Sequence, residues 1–218
     1  MDKPPEKGKN KLRGDIMDTN SLFKISYGLF VIIAKEGGFD NGCIINTFSQ
    51  ITNTPNRVAA IVNKTNKTAD MIRKTGVFNV STLSESANFD VIKNFGFQSG
   101  NDVNKFVDFT DVERGSNGLL YLSKYSNSYF SCKVIDTVDF DTHYMFVADL
   151  EDAQILNDEK SVTYDDYYNK IKPKPEEKVK GYRCKICGYV YEGEILPDNY
   201  ICPLCKHGPD DFEKIVWF

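Results

Sequence analysis

No apolar run in this chain exceeds the six residues from Leu29 to Ala34, far short of the roughly 20 that a membrane-spanning helix needs. The N-terminus lacks an apolar signal core. Residues 1–14 are polar and lysine-rich with Pro4-Pro5, so 1–16 is expected to be a disordered tail. Basic excess is absent as well: 27 Lys and Arg face 31 Asp and Glu, a net charge of −4. Nucleic acid and anionic membrane are therefore not expected as partners. No G-x-G-x-x-G, P-loop, H-E-x-x-H or G-x-S-x-G occurs, which leaves no Rossmann, Walker, zincin or nucleophile-elbow chemistry to assign.

Cysteine is present in a telling pattern. Of six, four form Cys184-Lys-Ile-Cys187 and Cys202-Pro-Leu-Cys205. Two intervening residues let both sulfurs of a pair reach one metal, and two such pairs supply a thiolate tetrahedron suited to iron or zinc. Disulfides would need a secreted context that nothing here supports, so a reducing cytoplasm is expected. Cys43 and Cys132 stand alone and read as small buried hydrophobes.

The residues around the pairs resemble rubredoxin: Tyr182, Tyr189, Tyr191 and Tyr200 flank the knuckles, Pro203 sits inside the second, and Phe212 follows. A segment of this size builds little aliphatic core, so aromatics supply bulk and the metal acts as a staple. From Gly181 to Phe218 there are four basic and six acidic residues, unlike a nucleic-acid-binding zinc ribbon, and this favours iron over zinc. Two features depart from the pattern: the gap between the pairs is short, and Lys206 stands where glycine usually follows. A left-handed backbone at Lys206 would cost about 1 kcal/mol.

Ahead of this segment, patterning predicts a short helix within 18–27 and strands at 29–34, 43–52 and 57–62. A helix is expected at 65–74 with Gly76 as its stop, then a strand at 77–82 and a helix at 86–94. A hairpin is read from 118–125 and 129–138, and a strand from 143–149. Many strands with few short helices argue for a mostly β barrel or sandwich. Residues 171–180, with Lys172-Pro173-Lys174-Pro175, read as a semi-rigid linker able to span about 30 Å. The expected division is thus a tail at 1–16, a barrel at 17–170, the linker, and a metal-bound domain at 181–218.

Four segments, in order, resemble the flavin reductase-like family over about residues 17–152: Asn41–Thr52, Val62–Thr68, Asn94–Gly100 with Asp102 and Lys105, and Asp139–Val147. The resemblance implies an FMN-binding split β-barrel and, commonly, a homodimer. Asn63, Lys64, Asn66, Lys67 and Thr68 would hold the FMN phosphate at a helix N-terminus. Asn46, Thr47 and Phe48 would lie along the isoalloxazine, and Ser49, Phe97 and Ser99 are further candidate cofactor-binding residues. His143 is the candidate catalytic residue beside the entering nicotinamide, although Thr142 separates it from Asp141 where the family runs Gly-Asp-His.

Flavin and iron in one chain convert a two-electron hydride from NAD(P)H into single electrons. The arrangement resembles the high-molecular-weight rubredoxins, which implies a flavo-diiron protein as redox partner. Two alternatives remain: a reductase that releases free reduced flavin, and a non-enzymatic flavin-binding barrel with a structural zinc ribbon.

Overall fold

The computed structural model describes residues 9–12, 15–173 and 181–215. Strands β1 (Lys9–Leu12) and β2 (Asp15–Asp18) pair antiparallel across the end of the expected tail, while 1–8 and 13–14 lie outside the described residues. A 3-10 turn, Thr19–Lys24, stands where a short helix was expected.

The first large unit is a seven-stranded antiparallel sheet. Its strands are β3 (Phe30–Glu36), β4 (Phe39–Ile45), β5 (Phe48–Asn53), β6 (Asn56–Asn63), β7 (Val77–Leu83), β10 (Ser126–Phe140) and β11 (His143–Ile155), ordered β4-β3-β7-β10-β11-β6-β5. The outermost strands, β4 and β5, are joined by only Asn46 and Thr47. Two residues reach about 7 Å, so the sheet must curl until its edges meet: an incompletely closed barrel. The single strand expected over 43–52 is thus two strands on opposite edges. Thr47 ties the link to β6, its Oγ1 donating to the Ile61 carbonyl at 2.8 Å.

The apolar run at 29–34 is explained by burial on both faces. Ile32 and Ala34 join the barrel interior with Cys43, Val62, Phe78 and Phe146, while Val31 and Ile33 pack outward with Val91, Ile92 and Phe95. Those last three belong to α2 (Phe89–Gly96), and α1 (Lys67–Thr75) supplies Met71 and Ile72 to the interior. Gly76 ends α1 at φ 71, and its N–H donates to the Ile72 carbonyl, as the sequence predicts. The predicted hairpin partners are different. Val112–Arg114 (β8) pairs with Leu120–Leu122 (β9), whereas β10 pairs with β7 and β11. Gly118, at φ 78, makes that turn, and two-residue periodicity does not reveal which strand a strand will meet.

Buried Lys105 donates to the carbonyls of Gly42 and Phe95 at 2.8 and 3.1 Å, tying β4 to the end of α2. A Cβ at Gly100 would lie 2.4 Å from the Asn41 amide, which donates to Thr68 Oγ1 at the start of α1. Gly100→Ala is therefore expected to destabilise the barrel by about 2 kcal/mol, read as a lower urea midpoint at unchanged m-value.

After β11 the chain forms α3 (Tyr164–Asp166), continued by a wider turn from Tyr167 to Ile171. Residues 181–215 make a second unit with its own three-stranded sheet: β12 (Gly181–Cys184), β13 (Val190–Tyr191) and β14 (Phe212–Ile215), with β12 central.

Candidate functional site

The four paired cysteines converge at the core of the second unit. Their Sγ atoms all lie within 4.8 Å of one another; Cys184–Cys205 and Cys187–Cys202 are each 3.5 Å apart. A tetrahedron with metal–sulfur bonds of 2.3 Å has edges of about 3.8 Å, so the donor set fits one four-thiolate ion. Cys184, Cys187 and Cys202 are buried, and Cys205 is partly exposed. The knuckles are built alike: Gly188 N–H donates to the Cys184 carbonyl and Lys206 N–H to the Cys202 carbonyl, both at 2.9 Å. Both turns are left-handed, at φ 80 for Gly188 and 63 for Lys206, so the lysine cost anticipated from sequence is incurred.

Hydrogen bonds from Cys187 and Cys205 push Cys184 down, while the bond to Cys184 pushes Cys205 up. Four thiols this close do not all release their protons without a cation among them. The predicted aromatic shell is present: Tyr200 packs against Tyr191 and Phe212 at ring separations of 4.6 and 5.4 Å.

The barrel carries a cavity of about 350 Å³ at the seam between its edges. Asn46, Thr47, Asn63, Asn66 and His143 line it together with Ile44, Ile45, Ile61 and Phe140. The five polar residues come from the β4–β5 link, the end of β6, the residue before α1 and the start of β11. His143 pairs in register with Asn63, and its Nδ1 lies 2.8 Å from Thr142 Oγ1. Asn66 is the N-cap of α1 and makes no side-chain cap hydrogen bond, so this helix end faces the cavity with its amide side chain uncommitted. The size suits a small cofactor, and a helix N-terminus with two asparagine amides suits a phosphate.

The other sequence-predicted residues are placed elsewhere. Phe48 and Ser49 line a second cavity with Phe30 and Phe130. Lys64 pairs with Asp139, and the Lys67 ammonium sits 4.2 Å over the Phe39 ring. Thr68 is fully buried and accepts from Asn41. Ser99 caps its own turn, accepting from Asn101 N–H at 3.1 Å. Phe97 packs on the Phe89 ring of α2, 5.7 Å between centroids, and also against the cysteine cluster. Phe140, half exposed on the rim, lies within the Asp139–Val147 segment but is not among the residues the sequence singles out. Cys43 and Cys132 are buried with thiols pushed up by desolvation, as expected of structural cysteines.

A family model described as flavin reductase like domain matches residues 22–172, and one described as rubrerythrin, rubredoxin-like domain matches 182–213. The chain belongs to the flavin reductase-like family. Among curated relatives of this flavin reductase-like chain is a high molecular weight rubredoxin from Moorella thermoacetica. It is 34% identical over 91% of this chain and the whole of that protein. A ferric-chelate reductase (NAD(P)H) from Archaeoglobus fulgidus is 33% identical, over 70% of this chain and 89% of its own length. A solved flavoredoxin from Methanosarcina acetivorans superposes with a TM-score of 0.55 at 21% identity, covering 68% of this chain and 76% of that one. That likeness shows the fold. No helix among the described residues is long and apolar enough to cross a membrane.

Proposed function

We propose that this chain passes electrons from NAD(P)H, through FMN in the seam cavity, to iron held by Cys184, Cys187, Cys202 and Cys205, and on to a separate acceptor protein. The observation that carries the reading is the junction of the two sites within one chain. Ile44 lines the cavity; the backbone of Gly96 packs on Ile44, where a Cβ would lie 3.3 Å away; and the next residue, Phe97, packs against the cysteine cluster. When bound, flavin accepts a hydride and releases single electrons, which a four-thiolate iron takes one at a time.

The chain's own residues do the rest. Asn63 and Asn66 would hold the phosphate at the start of α1, while Asn46 and Thr47 would present polar groups to the ring edge. Ile44, Ile45, Ile61 and Phe140 would exclude water from the cavity, and His143, oriented by Thr142, would stand where nicotinamide enters. The partly buried tyrosines and Phe212 would shield the iron, and the partly exposed Cys205 would face the acceptor. A homodimer, a flavo-diiron acceptor and a cytoplasmic location complete the proposal.

The visible spectrum of the purified chain, taken with and without NADH under anaerobic conditions, tests it. Flavin and iron–thiolate bands are expected to bleach together. A colourless site containing zinc would overturn the proposal, and flavin bleaching with iron left oxidised would point to release of free flavin.

A further inference from the structure

The end of the first unit reaches into the second through one side chain. Lys172 closes the wider turn after α3, its backbone N–H donating to the Tyr167 carbonyl at 2.8 Å. That helix is fixed to the barrel. Thr163 and Asp166 form a capping box, and Tyr164 N–H donates to the Tyr27 carbonyl at 2.9 Å. From this anchored position the Lys172 Nζ donates to the carbonyls of Lys185 at 2.8 Å and Ile186 at 3.2 Å. These are the two residues between Cys184 and Cys187. The lysine stem covers Gly188, whose added Cβ would sit 3.4 Å from Lys172 Cε.

Burial pulls the Lys172 ammonium down from its ordinary value, while the neighbouring Cys187 and Cys184 hold it up. The Tyr168 ring lies 4.8 Å from Nζ, and the nearby charges Arg183 and Glu213 pair with each other. Tyr167, buried one turn earlier, has a hydroxyl with no partner and lies close enough to feel the charges of Cys187 and Cys205. Together with Phe97, these residues seat the cysteine centre on the barrel of the same chain.

We propose that Lys172 is a positioning residue for the cysteine centre: it locks the first knuckle onto its own barrel and raises the centre's reduction potential. The inference rests on the iron reading above. Four thiolates around ferric iron carry one net negative charge, and around ferrous iron two. The centre gains one electron and no proton on reduction, so a fixed half-buried cation favours the reduced form. Replacing the ammonium also strands two knuckle carbonyls.

The test compares full-length wild type, Lys172→Met and Lys172→Arg. Redox titration of the iron bands should show reduction about tenfold less favourable in Lys172→Met, which is about 59 mV for one electron, with Lys172→Arg near wild type. Hydrogen exchange on the zinc-loaded protein should be faster at the Gly188 and Phe97 amides in Lys172→Met alone. Wild-type behaviour of Lys172→Met in either readout overturns the proposal. If the chain accepts zinc and never iron, the proposed function fails, and the exchange readout alone decides whether Lys172 is the lock.

Discussion

Cys202→Ser is expected to yield a chain that holds no metal, with residues 181–215 unfolded and the barrel melting as before. The second unit is too small to stand by burial alone. Its fully enclosed residues are Cys184, Cys187 and Cys202, with Phe212 nearly so, and domains under about 40 residues usually need a metal or disulfides. The tyrosine contacts contribute about 0.5–1.5 kcal/mol per ring pair beyond their burial. Metal binding to a four-ligand site supplies about 10–16 kcal/mol of apparent free energy, and in a unit of this size that is folding free energy. Serine offers no thiolate, and its hydroxyl would sit at a position with 0% exposure. Elemental analysis should find the metal gone, and amide resonances from 181–215 should collapse to random-coil values while those of β3 and β7 keep theirs. Dispersed resonances without metal would show that the tyrosine shell suffices. Electron delivery to any acceptor beyond flavin should fall at least a hundredfold in the same variant.

What the sequence disclosed, and what it withheld, divides along contact range. The cysteine pairs are legible because two-residue spacing is itself the geometry of a knuckle. Gly76 is legible because only a left-handed residue ends a helix in that way. The β4–β5 break is hidden because the Asn46-Thr47 link is only two residues long and carries neither glycine nor proline to mark a turn. Only the sheet order reveals that the two strands lie on opposite edges. Asn46, Asn63 and His143 meet through register, His143 opposite Asn63 across β11 and β6, and no local pattern encodes that. Phe48 and Ser49, read as continuous with Asn46 and Thr47, belong to β5 and line the second cavity instead. In the sequence Lys172 is one more charge in a proline-rich linker; its two carbonyl partners are 13 and 14 residues away, and no composition argument finds them.

Asn66→Asp separates a binding site from a stable helix end, because it should move the two properties differently. Asn66 already has N-cap geometry, φ −78 and ψ 126, and its carbonyl accepts from Ala69 N–H at 3.0 Å. Aspartate caps as well as asparagine, and its charge at the positive end of α1 adds about 0.3–1 kcal/mol. Thermal stability should therefore hold or rise slightly. A phosphate in the same place meets the opposite effect. A carboxylate about 5 Å from a phosphate dianion costs about 2 kcal/mol in water and about 7 at an effective dielectric constant of 20. The cavity opens to solvent along its Phe140 rim, so a value near 3 kcal/mol is expected, about a hundredfold in FMN affinity. Riboflavin, which has no phosphate, is the control, and its affinity should not change. Loss of FMN binding with riboflavin binding and melting temperature intact would place the phosphate at the start of α1. Equal loss for both ligands would mean a distorted cavity, and unchanged FMN affinity would move the phosphate elsewhere. The magnitudes make the outcome readable: the gain in stability and the loss in affinity have opposite signs, and a merely damaged helix cannot produce both.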